Sequence, residues 1–302
     1  MSYDNFDEVA QRLRSARGLL VVTGAGMSVA SGVPVFRMAD GSMSEDFLRF
    51  LSVYNAARVK HGLSPADDWF EFSVPDMFKP ETEREAWQYW RWRILRALVD
   101  PADDYRFLNK IIEHVGIERS FVVTSNCDML HVRAGAHEAR VREIHGSLGL
   151  LQCSVPCSQQ LYPVDNEILD NLRCDSEWVP RCPLCKKACL RPNVMIFGDH
   201  ALIDSHLDDQ EKRYNDFRRE MEDEPIVVLE IGAGTVVSSI RHIAERRAAA
   251  SACLGLVRIN PSQAECEQME TPADALEGKY FPIVEKSTSA LKKLCEKLSI
   301  DM

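Results

Sequence analysis

The stretch Leu19 to Arg37, LLVVTGAGMSVASGVPVFR, limits the possible folds more than any other part of the chain. Leu19 to Thr23 are apolar or β-branched and predict a short buried strand. Gly24, Ala25 and Gly26 end it, and small residues continue through Ser28, Ala30 and Ser31. A strand running through small residues into a helix is how a doubly wound sheet brings backbone N–H groups and a helix N-terminus to a pyrophosphate. Side chains larger than methyl would block that approach. The spacing departs from the strict G-x-G-x-x-G pattern, because Val29 stands where the third glycine is due and the next one is Gly32. Taken alone, the segment suits a nucleotide site or an ordinary tight turn.

The pattern of a short apolar run ending in small or polar residues recurs. Strands are predicted at 120–124, 141–144, 193–197, 225–231 and 254–260. Helices are predicted over 4–16, 43–60, 81–99 and 103–115, from Ala233 onward, and over the C-terminal STSALKKLCEKL. In an open parallel sheet the ligand crevice lies at the carboxyl ends of the strands. Gly24, Gly26, Asn126, Asp128, His145, Gly232 and Asn260 all fall at such ends and can converge there. The expected fold is α/β, a doubly wound parallel-sheet (Rossmann-like) domain built from 1–38, 103–149 and 192–302. Residues 39–102 show no strand-like alternation and form a helical insertion, and 150–191 form a small cysteine-rich module.

The 302 residues carry a formal net charge of -10, which argues against broad nucleic-acid binding, since that needs a basic footprint. No apolar run approaches the ~18–20 residues of a membrane span, and the N-terminus lacks a signal-peptide core. Ten cysteines without such a signal fit metal ligands and buried thiols, placing the chain in a reducing compartment, cytoplasmic or nuclear. Cys153 and Cys157 are separated by three residues, Cys182 and Cys185 by two, and 24 residues lie between the pairs. Two cysteine pairs on turns suit a tetrahedral zinc whose filled shell makes it structural. Cys174 or Cys189 could replace one ligand, and four reduced thiols are the plainer alternative. Cys127, Cys253, Cys266 and Cys295 read as packing residues.

Five further blocks join the first. GAGMSVASGVPVFR resembles the opening signature of the sirtuin family, GAGxSxxSGIPDFR, with Val35 in place of Asp. TSNCDMLHVRAG (124–135) is similar to the family string TQNxDxLHxxAG, with Ser125 replacing Gln. EIHGS (143–147) looks like the catalytic-histidine motif, and RPNVMIFGD (191–199) resembles RPxVVxFGE with Asp199 replacing Glu. RINP (258–261) resembles the segment with the strand-end Asn, here Asn260, while at 232–235 the family's GTS becomes GAGT, with Ala233 and Gly234 for Thr and Ser.

The resemblance implies an NAD-dependent protein-lysine deacylase releasing nicotinamide, O-acyl-ADP-ribose and free lysine. It implies cofactor contacts from Gly24, Ala25, Gly26, Ser28, Phe36, Arg37, Ser125, Asn126, Asp128, Gly232, Gly234 and Asn260. Asn126 and Asp128 would line the nicotinamide pocket, although both could merely cap the following turn. His145 would be the general base acting on a ribose hydroxyl, and His131 would be structural. An acylated-lysine peptide would pair with the backbone around 191–199. Trp90 and Arg93, in AWQYWRWRI, have the spacing of a Tyr–Arg pair that holds acyl carboxylates in one sirtuin branch; a packed aromatic helix face is the competing reading. Mono-ADP-ribosyl transfer, NAD hydrolysis, or a non-catalytic NAD-binding scaffold are the alternatives.

Overall fold

The computed structural model describes residues 5–35, 42–66, 75–235 and 237–301. Among these residues there are nine strands: β1 (Gly18–Thr23), β2 (Ser120–Thr124), β3 (Val141–Glu143), β4 (Gly146–Cys153), β5 (Tyr162–Pro163), β6 (Leu190–Val194), β7 (Ile226–Ile231), β8 (Cys253–Ile259) and β9 (Tyr280–Ile283). Six of them form one sheet in the order β3-β2-β1-β7-β8-β9. Every pairing in that sheet is parallel.

Burial on both faces is what makes the central strands continuous apolar runs. Every residue of β1, β2 and β7 is buried. Leu19 and Val21 pack with the helices Phe6–Ser15, Asp103–Val115 and Ser287–Lys297. Leu20 and Val22 point the other way, toward Ser205–Glu220 and Ser239–Ala248. The chain leaves β1 toward β2 and β3, then returns to build β7, β8 and β9 on the opposite side of β1. The strand order therefore reverses between β1 and β7, the position where doubly wound sheets bind ligands.

A second, antiparallel sheet of order β5-β4-β6 carries the cysteines. The helices Glu45–Lys60 and Glu83–Ala97 share its apolar cluster rather than that of the large sheet.

Several local readings are revised. The strand expected at 193–197 runs from Leu190 to Val194 and pairs antiparallel with β4 in the small sheet. Pro192 is tolerated because β6 is an edge strand. β4 has Gly146 and Gly149 breaking its apolar pattern, and β9 is a four-residue edge strand containing Pro282, so neither is announced by periodicity. The helix expected from Ala233 begins at Ser239. Gly24 is followed by a four-residue 3-10 turn, Ala25–Ser28, and among the described residues up to 35 no longer helix crosses there, so no third glycine is needed at Val29. Among the described residues no helix is long and apolar enough to cross a membrane.

Candidate active site

At the point where the strand order reverses, two glycine turns interlock. Gly26 N donates to Gly232 O at 2.9 Å, and Gly24 N to Ile231 O at 3.0 Å. A Cβ on Gly24 would lie 2.7 Å from Gly232 O, and one on Gly26 2.7 Å from Gly232 Cα. Gly232 itself has φ +63°, and a Cβ there would lie 2.5 Å from Met27 N. The turn after β1 is glycine-rich because another backbone occupies the space, in addition to any ligand.

The TSNCD loop joins this turn through side chains. Asn126 Nδ2 donates to Gly24 O at 3.0 Å and to Ser28 Oγ at 2.9 Å. Ser28 Oγ donates to Asp128 Oδ2 at 2.6 Å and lies 2.9 Å from Tyr105 Oη. A hydroxyl has one proton and two lone pairs. With its proton given to Asp128, Ser28 accepts from Asn126 and Tyr105, and its capacity is filled. Burial pushes the Asp128 carboxyl above the ordinary range; Ser28, the Leu130 N–H and Arg93 pull it part of the way back. Asp128 Oδ1 accepts that Leu130 N–H at 3.0 Å, so the capping role expected as an alternative coexists with a place in the cluster.

His145 follows β3, and its neighbour Gly146 has φ +83° with no room for a Cβ, which would meet Asn193 O at 2.2 Å. That contact is the reason for glycine in the HGS motif. Met195 N donates to His145 O at 2.9 Å, and Cys127 Sγ lies 3.5 Å from the same oxygen. Burial lowers the imidazole's pKa, while its bond to the Ser125 carbonyl opposes the shift. Ser125 N in turn donates to Thr23 O at 3.1 Å, beside Gly24. The half-buried imidazole is thus neutral near pH 7 and able to accept a proton. His131 differs: it is fully enclosed, Nε2 lies 2.8 Å from Thr23 Oγ1, and burial takes its pKa down to about 4. It braces β1 rather than facing a reactant.

On the other side of the reversal, Asn260 Nδ2 donates to Ala233 O at 3.1 Å and Asn260 Oδ1 accepts from Ser262 N at 3.0 Å. Gly234 is exposed beside it. Phe36 and Arg37 lie outside the described residues. Trp90 is buried, with Nε1 3.4 Å from Met77 Sδ, as a packed aromatic face requires. Arg93, half-buried, donates to Tyr89 Oη at 3.0 Å. A cavity of about 160 Å³ between the helix Asp103–Val115 and the start of β2 lies at the opposite strand ends and includes none of these residues.

The four Sγ atoms of Cys153, Cys157, Cys182 and Cys185 lie within 4.8 Å of one another. Tetrahedral Zn–S bonds of about 2.3 Å place sulfurs about 3.8 Å apart. Cys153–Cys185 at 3.9 Å and Cys157–Cys182 at 3.6 Å fit that geometry. The N–H groups of Ala188 and Lys187 bring the Cys185 thiol down to about 6. Cys189 Sγ instead faces Phe78 O, and Cys174 is exposed on its helix, so neither belongs to the cluster. Cys127, Cys253, Cys266 and Cys295 are buried.

Three residues escaped the sequence reading. Tyr105 sits on an ordinary amphipathic helix. Glu143 is buried at the end of β3, lining with Asn126, Asp128 and His131 a crevice too narrow to hold a water. Arg241 is a fully enclosed arginine on the helix after β7. No motif singles out Tyr105 or Arg241, and Glu143, which opens the EIHGS block, carries no signal of its own there.

The fold and the residues at its strand ends define a doubly wound domain of the dinucleotide-binding class, with a four-cysteine metal module beside it. Residues 24–218 match the model of the Sir2 family. The chain belongs to that family. It is 30% identical over 192 residues to an NAD-dependent protein deacylase of Pyrococcus abyssi, covering 64% of this chain and 65% of the relative. A deacylase of Aquifex aeolicus is 25% identical over 288 residues, covering 93% of this chain and 95% of the relative. The matched part of this chain thus spans just under two thirds of the Pyrococcus relative's length. Among solved structures, a Sir2 homologue–NAD complex superposes with a TM-score of 0.65 at 22% identity, covering 97% of this chain and 93% of the other. Sir2Tm bound to a propionylated peptide gives 0.64 at 20% identity, covering 97% and 98%.

Proposed function

We propose that this chain is an NAD-dependent protein-lysine deacylase. One observation carries the reading: Asn126 and Ser28 tie the glycine turn, Asp128 and Tyr105 into a single hydrogen-bonded cluster at the strand ends. The names of the Pyrococcus and Aquifex relatives and the propionylated-peptide complex support acyl-lysine as the substrate.

NAD supplies a glycosidic bond to a cationic nicotinamide that is a good leaving group. With both Nδ2 hydrogens given to Gly24 O and Ser28 Oγ, Asn126 offers its Oδ1 as an acceptor to a carboxamide N–H, and the Asp128 carboxyl lies beside it for the pyridinium and ribose. Neutral His145 takes the proton of a ribose hydroxyl so that its oxygen can attack the acyl carbon. Met195 and Phe197, exposed after β6, support strand addition by an extended peptide. The buried Arg191–Asp199 ion pair, at 2.5 Å, holds the turn that follows. Cys153, Cys157, Cys182 and Cys185 would hold a structural zinc, which fits a reducing cytoplasmic or nuclear setting.

The test is incubation with NAD and a mixed acyl-lysine peptide library, with mass spectrometry of every ADP-ribose product. Acyl-ADP-ribose with free lysine is expected. ADP-ribosylated protein or free ADP-ribose alone would instead establish transfer or hydrolysis, and NAD binding without turnover a scaffold.

A further inference from the structure

The turn at 232–235 lacks, at Ala233 and Gly234, the hydroxyls that the family string leads one to expect, and what lies beneath it is unusual. Glu230 (β7), Arg258 (β8) and Glu245 and Arg241 (helix Ser239–Ala248) are enclosed charged residues. Arg258 bonds both oxygens of Glu230, at 2.6 and 2.9 Å, and Glu245 at 2.6 Å. Glu245 also accepts the N–H groups of Glu270 and Thr271 at 2.8 and 2.6 Å. Arg241 spreads its guanidinium over four acceptors: Ala233 O at 2.9 Å, Gly234 O at 3.2 Å, Gln268 O at 3.0 Å and Glu265 Oε2 at 2.7 Å. Thr235 Oγ1 closes the ring by donating to Glu265 Oε1 at 3.3 Å.

A trans peptide points its C=O and the following N–H in opposite directions. Drawing the carbonyls of Ala233 and Gly234 toward Arg241 turns the N–H groups of Gly234 and Thr235 away from it. Among the described residues neither N–H has a hydrogen-bond partner. Two successive outward N–H groups at a strand end are donors available to the oxygen atoms of a ligand. We propose that Arg241 is a positioning residue for the adenosine half of the dinucleotide, replacing with oriented backbone donors the side-chain hydroxyls absent at Ala233 and Gly234. A lysine cannot do this, because a single ammonium lacks the planar fork that reaches two carbonyls and a carboxylate together.

The inference rests on the NAD reading, so the experiment separates the two. ADP-ribose binding to the full-length chain is measured by calorimetry, alongside KM and kcat for NAD and for the acyl peptide, and inhibition by nicotinamide. For Arg241→Lys, which keeps the charge the buried glutamates require, the ADP-ribose Kd rises about tenfold or more. KM for NAD follows it, while kcat, the peptide KM and nicotinamide inhibition stay within about twofold. Glu265→Gln, on a partly exposed residue that leaves the core intact, gives a smaller loss in the same direction. ADP-ribose affinity unchanged in Glu265→Gln and in folded Arg241→Lys overturns the inference and leaves the NAD reading standing. Losses spread equally over nicotinamide and peptide overturn it too, as general loosening. Failure of the unaltered chain to bind ADP-ribose removes the NAD reading, and this inference with it.

Discussion

Replacing Ser28 by alanine removes the atom on which the nicotinamide-side cluster converges. Three hydrogen bonds disappear, to Asp128 at 2.6 Å and to Asn126 and Tyr105 at 2.9 Å each. The two neutral bonds contribute about 1 kcal/mol each and the charge-assisted one about 1.5–3 kcal/mol. Added naively they give roughly 3–5 kcal/mol. Because they share one oxygen they are coupled, and about 3 kcal/mol is the expected destabilisation. Its pH dependence is the discriminating part. Burial already raises the Asp128 pKa above its unfolded value, and Ser28 is the first of the groups opposing that shift. Without Ser28 the folded pKa rises further. Between the unfolded and folded pKa the native state holds the extra proton, so stability falls as pH rises. In the variant that fall extends further toward neutrality, so its deficit is larger near about pH 8 than near about pH 5. Urea unfolding of both proteins at the two pH values measures this. An equal deficit at both would refute the assignment of Ser28 as the donor that keeps Asp128 ionised.

Four further outcomes are expected. His145→Ala lowers acyl transfer by about 10²–10⁴-fold while leaving the ADP-ribose Kd within a few-fold, checked by product assay and calorimetry. Glu143→Gln is stabilising at alkaline pH. Burial first, and then Asp128, raise Glu143 to about 8, so the native protein loses stability as pH climbs from the unfolded value through that point. The variant lacks this loss and should gain roughly 2 kcal/mol or more near about pH 9 by denaturant titration. Gly26→Ala forces a methyl to within 2.7 Å of Gly232 Cα and should destabilise by about 2 kcal/mol or more, read as a lowered Tm. Chelation should release one zinc per chain and expose the thiols of Cys153, Cys157, Cys182 and Cys185 to a thiol reagent; no metal in the purified protein by mass spectrometry would defeat the zinc assignment.

Much of the sheet is readable because parallel strands buried on both faces become uninterrupted apolar words. SFVVT and PIVVLEI give their strands to within a residue, and their terminal polar residues mark the ligand edge. Where burial is one-sided or the strand lies at an edge, the signal fades. β4 must pass two glycines, and β6 and β9 each contain a proline. The site is legible to the same degree. Asn126, Asp128 and Ser28 meet, as do the four cysteines, and each of these residues sits in a short motif that can be recognised on its own, although the motifs lie far apart in the chain. Tyr105 acts on a loop whose other anchors lie far off in the chain. Arg241 stands only seven and eight residues past Gly234 and Ala233, but it joins them to Gln268 and Glu265, a set that no sequence pattern announces.

The interlocked turns show which departures from the family strings the site can absorb. Gly24, Gly26 and Gly232 meet backbone to backbone, so at these positions a side chain of any kind would push β1 and β7 apart at the reversal point. Ser125, Ala233 and Gly234 carry no such burden. Their backbone groups do the structural part: Ser125 N and Ala233 O are both engaged, with Thr23 O on one side and Asn260 and Arg241 on the other. Substitution at Ser125 or at the exposed Gly234 changes what projects from the loop without moving the frame, whereas Ala233 packs into the apolar cluster of Ile240 and Ala244. The chain therefore keeps its three glycines while varying the hydroxyl and amide positions around them, and Arg241 holds in place from below a turn without hydroxyls at 233 and 234.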